Sequence, residues 1–295
     1  MNFSKLTLSD IETVRRYSRF NADRACDLSP GCLVMWRKFY GTEFCVENDA
    51  YFSLLHGEDG RVYYNLPLCD KERLPGAIAQ VYEHCRHRGE PCRFCTVTEQ
   101  YLPLMREVLC DITVTEHREY SDYLYMADDM ISLSGKKYAT QRNHISRFQR
   151  EYADWSFEPI NGGNAARVAE FMNGYCEQYA KQEASAAADC AMALEVLENF
   201  DIYGMYGGVL SVSGKVVGFS LGETVGDTLI IHTEKADRGY LGAYQMLTNQ
   251  FARMYGASAQ YINREDDMGD EGLRRAKLAY RPVTLIKKHT VCVGE

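Results

Sequence analysis

Around the middle of its second half the chain carries three strand-like runs with almost nothing between them, residues 203–212, 216–223 and 228–235. Ser213-Gly214 and Gly226-Asp227 supply the turns. Links that short join antiparallel neighbours, because a parallel partner needs a crossover of about a dozen residues or more. A chain with such a meander must organise around a sheet, and the helices before and after it must pack on that sheet.

Residues 155–160 read as a strand, and 164–181 and 186–200 as helices. After the meander comes a helix over 242–255, with Tyr244, Leu247, Phe251 and Met254 on its buried face. A strand (259–263), a helix (271–280) and a last strand (283–293) follow. The order β-α-α-β-β-β-α-β-α-β resembles the GCN5-related acetyltransferase (GNAT) fold, in which one strand splays from its neighbour to admit an acyl donor. The first half is a weaker version of that order. Ser9-Asp10 opens a helix with Ile11, Val14 and Tyr17 at helical spacing. Strand-like runs lie at 43–46, 51–55, 61–66 and 92–97, helices at 75–87 and 101–109, and two short extended pieces at 112–115 and 122–126. A long helix over 132–152, N-capped by Ser134, joins the halves. The expected fold class is therefore α/β (α+β), with two GNAT-like domains, each a mixed, mostly antiparallel twisted sheet flanked by helices. The expected divisions are a degenerate domain at 1–131, a basic bridging helix at 132–153 and a domain carrying the site at 154–295.

Composition agrees with a soluble globular protein of one large or two ordinary domains: 295 residues, 46% hydrophobic and 25% charged. No stretch approaches the roughly 18 apolar residues of a membrane span. Met1-Asn2-Phe3-Ser4-Lys5-Leu6 lacks the apolar run of a secretion signal. The expected location is cytoplasmic, or peripheral to a membrane. Eleven cysteines fit no secreted disulfide frame, so they are expected to be reduced and partly buried. His84, Cys85, His87, Cys92 and Cys95 suggest a metal cluster. A strand over 92–97, however, would point Cys92 and Cys95 to opposite faces, and no second C-x-x-C exists, so no metal is expected.

The net charge is −8, yet bases are concentrated. Residues 130–150 hold Lys136, Lys137, Arg142, Arg147 and Arg150, and residues 272–288 hold Arg274, Arg275, Lys277, Arg281, Lys287 and Lys288, with no acid in either stretch. An acidic body with two basic islands suits a local anion site better than a broad nucleic-acid stripe. Two solvated helix faces would give the same pattern.

Three segments carry candidate chemistry. Leu133-Ser134-Gly135-Lys136-Lys137 offers backbone donors and two cations at a helix start, which suits a phosphate, without the spacing of a Walker A loop. Downstream, Arg142, Asn143 and His144 add donors. On strand 228–235, Ile230, His232 and Glu234 share one side; Glu234 is the first candidate for a substrate-orienting carboxylate, while His232 also reads as a satisfied core histidine. The third segment runs from Tyr261 to Tyr280 through the acidic loop Glu265-Asp266-Asp267, where acids could hold an α-ammonium or accept a proton from a nucleophile. Between them, the loop from Ala236 to Ala243 departs from the acyl-CoA pattern Q/R-x-x-G-x-G/A.

Taken together, Asp122-Tyr123-Leu124-Tyr125, Leu133-Ser134-Gly135-Lys136-Lys137 with Arg142-Asn143-His144-Ile145-Ser146-Arg147-Phe148, Glu234-Lys235-Ala236, and Asn263-Arg264-Glu265-Asp266-Asp267-Met268-Gly269 through Leu273-Arg274-Arg275-Ala276-Lys277 resemble a bacterial family. It is the family of proteins related to the C-terminal catalytic domain of phosphatidylglycerol lysyltransferase. The resemblance is strongest over 122–293. It implies two GNAT-like domains, as in the Fem-type peptidoglycan aminoacyltransferases, and an aminoacyl-tRNA donor whose aminoacyl group passes to a lipid hydroxyl or an amine. No cofactor is then required. Lys136, Lys137, Arg142, Arg274 and Lys277 are expected on the donor phosphate or 3′ end, with Asn143, His144, Lys235 and Asn263 as further substrate contacts. Glu234, Glu265 and Asp267 are expected on the amino group or acceptor. The alternatives are an N-acyltransferase using acyl-CoA, with Tyr280 as proton donor to the leaving thiolate, and a non-catalytic binder of an anionic metabolite. The multi-span membrane portion of the full lipid synthases is absent from this sequence, and the oligomeric state is not legible.

Overall fold

The computed structural model describes residues 1–179 and 184–294. In chain order its strands are β1 (Ser4–Lys5), β2 (Glu43–Glu47), β3 (Ala50–His56), β4 (Val62–Tyr64), β5 (Cys92–Thr98) and β6 (Ile112–Met126). They continue with β7 (Trp155–Pro159), β8 (Tyr206–Val212), β9 (Lys215–Val225), β10 (Thr228–Ala236), β11 (Tyr261–Asn263) and β12 (Thr284–Val293). The chain divides into two compact units, one of Met1–Tyr123, Glu265–Glu271 and Leu285–Glu295, the other of Leu124–Arg264 and Gly272–Thr284. The C-terminal segments thus return to the first unit, a division that differs from the expected 1–131, 132–153 and 154–295.

In the first unit, β1-β2-β3-β4-β5-β12 lie side by side in that order. The β4–β5 pair is parallel and β2–β3, β3–β4 and β5–β12 are antiparallel. Helix Ile11–Ser18 buries Ile11, Val14 and Tyr17, the stripe its periodicity predicts. Asp10 stands at its N-cap position, so Ser9-Asp10 opens the helix as expected, and the 3-10 turn Leu8–Asp10 just before it begins with a capping box in which the Thr7 amide donates to Asp10 Oδ2 at 2.8 Å. The two extended pieces expected at 112–115 and 122–126 are one strand. Of the residues between them, Glu116 to Glu119 are polar and half-buried or exposed, so they carry no apolar alternation to read.

The second unit holds the meander. Its order is residues 124–126 of β6, then β11-β10-β9-β8-β7. The turns fall where expected, with Val212 opposite Lys215 and Val225 opposite Thr228. The β10–β11 pair is parallel and the others are antiparallel. Helices Ala165–Tyr179, Ala184–Glu198 and Ala243–Tyr255 flank this sheet. One buried cluster joins Phe148 to Leu210 and Val212 of β8, Val217 of β9, Ala236 of β10, and Ala243, Met246 and Leu247 of the last helix.

The long helix expected over 132–152 is broken. Helix Ala127–Ser132 ends at Leu133 (φ +47°), Gly135 stands at φ +80°, and a 3-10 turn, Lys136–Tyr138, precedes helix Ala139–Glu151. The left-handed residues stop the first helix, and Ser134 caps nothing. The whole segment lies in the second unit, so it is not a separate bridge. Helix Ala139–Glu151 instead packs through Phe148 on Ala243 and Met246. Gly242 permits that approach: at φ +88°, its Cβ position would lie 2.5 Å from the His144 carbonyl oxygen. Gly242→Ala is therefore expected to cost about 2–3 kcal/mol, combining left-handed strain with displaced backbone. Urea denaturation followed through Trp155 would show it.

Cysteine usage also departs from expectation at one pair. Cys176 and Cys190 form a disulfide between helices Ala165–Tyr179 and Ala184–Glu198, with Cα atoms 6.0 Å apart. Their partnership depends on two helices coming together, which a spacing of 14 residues does not announce. Nine cysteines are free thiols. Cys85 lies on helix Leu74–Arg88 and Cys92 and Cys95 on β5, and Cys95 bonds the Tyr64 carbonyl and Asn65 Oδ1.

Candidate functional site

Strand β11 ends at Asn263, paired with Ile230, while β10 runs on to Ala236. Past that point a side chain spans the opening. Arg264, the residue after β11, donates from Nη2 at 2.6 Å and from Nε at 3.0 Å to Glu234 Oε2. The other oxygen of Glu234 accepts from the Thr248 hydroxyl at 2.7 Å. Thr248 is one of two buried polar residues, with Asn249, on helix Ala243–Tyr255. Both charged side chains are nearly buried, at 10% and 11% exposure.

Tyr280 covers the pair, its ring 4.9 Å from the Arg264 guanidinium carbon. Burial works against the Arg264 charge, yet the adjacent Glu234 carboxylate keeps its pKa above the ordinary arginine value. Burial also pushes the Tyr280 hydroxyl up to about 12, so it stays protonated at neutral pH. Around this centre, Lys277 Nζ donates to the Arg264 carbonyl at 2.6 Å, and the Tyr125 hydroxyl donates to the Lys277 carbonyl at 2.9 Å. Gln141 Nε2 donates to the Ala279 carbonyl at 2.7 Å. Two polar atoms are left over. Arg264 Nη1 and Gln141 Oε1 are buried without a hydrogen-bond partner. Native interiors satisfy nearly all such groups, so an orphaned guanidinium nitrogen marks where an acceptor oxygen can dock.

The sequence candidates distribute unevenly around this centre. Glu234, Lys277 and Tyr280 are in it. Lys277 is a buried strut holding a backbone carbonyl and not a surface cation, whereas Lys136 is exposed on its 3-10 turn. Lys137 is paired with Asp129 at 2.8 Å. Arg142 binds the carbonyls of Leu133 and Gly135, which fixes the break before its own helix. Asn143 and His144 are exposed, and Arg274 is half-buried. Lys235 pairs with Asp189 at 2.5 Å, and Asn263 is buried on β11. His232 bonds Glu223 at 3.0 Å with its side chain 2% exposed, the satisfied core histidine.

Two acids of the expected site belong to the first unit. Asp267 is fully buried and accepts from Tyr123 at 2.6 Å, Arg118 at 3.1 Å and the Gly269 amide at 3.0 Å. Glu265 stands at φ +55°, its carbonyl accepting from the Tyr123 amide at 3.1 Å. Arg264, Thr248 and Arg118 were not among the residues picked from sequence. The one available signal was Thr248, a hydroxyl on an apolar helical stripe.

The family described as phosphatidylglycerol lysyltransferase, C-terminal, matches residues 18–292. A conserved protein of unknown function from Bacteroides thetaiotaomicron is similar at 32% identity, with 99% of each chain covered and a TM-score of 0.92. L-PGS from Bacillus licheniformis is similar at 12% identity and a TM-score of 0.64, covering 97% of this chain and 91% of that one. An uncharacterized protein of Mycoplasmoides gallisepticum is 24% identical over 182 residues, 60% of this chain and 58% of that relative, so the match spans little more than half of the relative's length. No helix among the described residues is long and apolar enough to cross a membrane. The fold class is the mixed α/β one that the element order implied, mostly antiparallel strands flanked by helices, and L-PGS shares it. With its match running over nearly all of its length, the chain belongs to the family of the phosphatidylglycerol lysyltransferase C-terminal domain.

Proposed function

We propose that the protein is an aminoacyltransferase, moving an aminoacyl group from aminoacyl-tRNA to a lipid hydroxyl or an amine, and that the Arg264 centre is where the ester reacts. The orphaned Nη1 donor of Arg264 carries this reading. Attack on an ester carbonyl places negative charge on its oxygen, and a fixed cationic donor in a dry site stabilises that charge without reorganising. Glu234 and Thr248 act as positioning residues that hold the guanidinium plane. Tyr280 stays protonated and is the candidate to hand a proton to the departing ribose oxygen. As the bond from acceptor to carbonyl carbon forms, the ester C–O bond breaks, and the acceptor's proton balances the one delivered. The ester is already activated, so no covalent enzyme intermediate is needed.

Aminoacyl-tRNA is favoured over acyl-CoA by the surroundings of helix Ala243–Tyr255. Its entry residue, Gly242, is packed against the His144 carbonyl and Phe148. Pyrophosphate held by an open loop at a helix N-terminus needs that backbone exposed. The basic residues of 136–150 are the candidate contacts for donor phosphates, with exposed Lys136 foremost.

The test is transfer from purified charged tRNAs to phosphatidylglycerol or to small amines. Arg264→Lys keeps the charge but lacks the fork, and is expected to lower kcat at least a hundredfold, about 2.7 kcal/mol, with little change in KM. A Lys136→Ala protein should instead raise KM for the charged tRNA. Turnover with acyl-CoA but not with charged tRNA would reject the reading in favour of an N-acyltransferase. Absence of turnover with every donor, together with small-anion binding, would favour the non-catalytic alternative.

A further inference from the structure

The first unit contains a second group of ligating atoms that the reaction at Arg264 does not use. Cys26 opens the 3-10 turn Cys26–Leu28, and Cys32 lies on helix Pro30–Met35, which is started by the Ser29 hydroxyl accepting from the Cys32 amide at 3.1 Å. Cys26 Sγ, Cys32 Sγ and a carboxylate oxygen of Glu265 all lie within 4.8 Å of one another. We propose that Cys26, Cys32 and Glu265 bind a divalent transition-metal ion of the zinc class, as a structural or regulatory site of the first unit.

Three features of the neighbourhood favour a metal at this point. Two sulfurs and one carboxylate form a soft-to-borderline donor set, which suits zinc and is poor for magnesium or calcium. Glu265 is held at φ +55°, a conformation rare for a residue with a side chain, and strain of this kind gathers where a side chain must be aimed. A second possible grouping, Cys26 with Asp27 and Asp122, already has its cation. Lys288 Nζ lies 2.5 Å from Asp27, 2.6 Å from Asp122 and 3.5 Å from Cys26 Sγ. That ammonium is the cation of the carboxylate grouping, so the metal is assigned to the grouping of Cys26 with Cys32 and Glu265. Forming two metal–sulfur bonds displaces two thiol protons to solvent. Three protein ligands leave a fourth tetrahedral position for water or an exogenous ligand.

The full chain, reduced with a phosphine and free of any affinity tag, should be titrated with cobalt(II) and then with zinc(II). The expected result is about one cobalt per chain with thiolate-to-cobalt charge-transfer absorption, which zinc abolishes. Glu265→Gln and Cys32→Ser should each weaken cobalt binding at least tenfold. Cys92→Ser, which lies outside the cluster, should change nothing. Zinc should also protect half-buried Cys32 of the wild-type chain from alkylation while exposed Cys110 still reacts, a readout that needs no variant to fold. Less than 0.2 equivalents of bound metal, an undiminished charge-transfer band in Cys32→Ser, or alkylation of Cys32 unaffected by zinc would each overturn the proposal.

Discussion

Replacing Arg264 with alanine is expected to destabilise the second unit by about 3–5 kcal/mol, the cost of stripping one partner from a buried ion pair. Glu234 keeps its bond from Thr248, and its second oxygen, formerly held by Nε and Nη2, loses its cation in a nearly buried site. The loss should come mainly from stranding the carboxylate and only secondarily from the missing attraction. Arg264→Ala combined with Glu234→Gln should therefore recover at least about 1 kcal/mol, because the stranded charge is gone. Trp155 lies in the second unit and Trp36 in the first, so urea denaturation followed by fluorescence in a Trp36→Phe background isolates the effect. A cost below about 1 kcal/mol for Arg264→Ala would mean that solvent reaches Glu234, and the dry oxyanion site would fall with it.

The transfer and stability readouts bear on different atoms of one guanidinium. Nε and Nη2 are spent on Glu234, and Nη1 is the atom left for a substrate. Arg264→Lys separates the two roles. An ammonium can still neutralise Glu234 as a point charge, so most of the stability should remain, but it cannot present a second donor in the same plane. A variant that folds like the wild type and has lost transfer is the signature of that division.

How much of this could be read from sequence differed between elements for physical reasons. The meander was legible to within a few residues, because two-residue turns leave little freedom in register and apolar runs mark both faces of a covered sheet. The helix Ala243–Tyr255 was legible from its stripe. Strand β6 was not, since Glu116 to Glu119 are polar and carry no buried face. The long helix failed at Leu133: a left-handed leucine is held there by a distant contact, the Arg142 guanidinium on its carbonyl, and no local propensity records it. The same limit applied to the candidate centre. Glu234 stood out as a carboxylate on a strand, but Arg264 was passed over because its importance arises only when β11 stops short and β10 continues. Charge counting placed Lys136 and Lys277 in one island-based site. Position along the chain says nothing about which way a helix face turns, and Lys277 turns inward.

Lys288 shows the same limit in the first unit, with a large expected effect. It reads as part of a basic island, yet it is 1% exposed and holds two carboxylates, Asp27 and Asp122. Lys288→Met keeps the apolar stem and removes the charge, so both carboxylates lose their cation and the loss should reach about 4 kcal/mol or more. Asp122 retains the Cys26 amide, which donates to Oδ2 at 2.8 Å, so it is the better supported of the two. Asp122→Asn should consequently soften the effect: Lys288→Met made in that background is expected to cost at least about 1 kcal/mol less than in the wild-type chain. Trp36 fluorescence in a Trp155→Phe background reports this unit. Strict additivity of the two substitutions would show that Lys288 and Asp122 do not act as a pair. A non-additive result assigns the lysine to the interior, where it holds the fold of this unit and leaves the exposed bases as the cations available to a ligand.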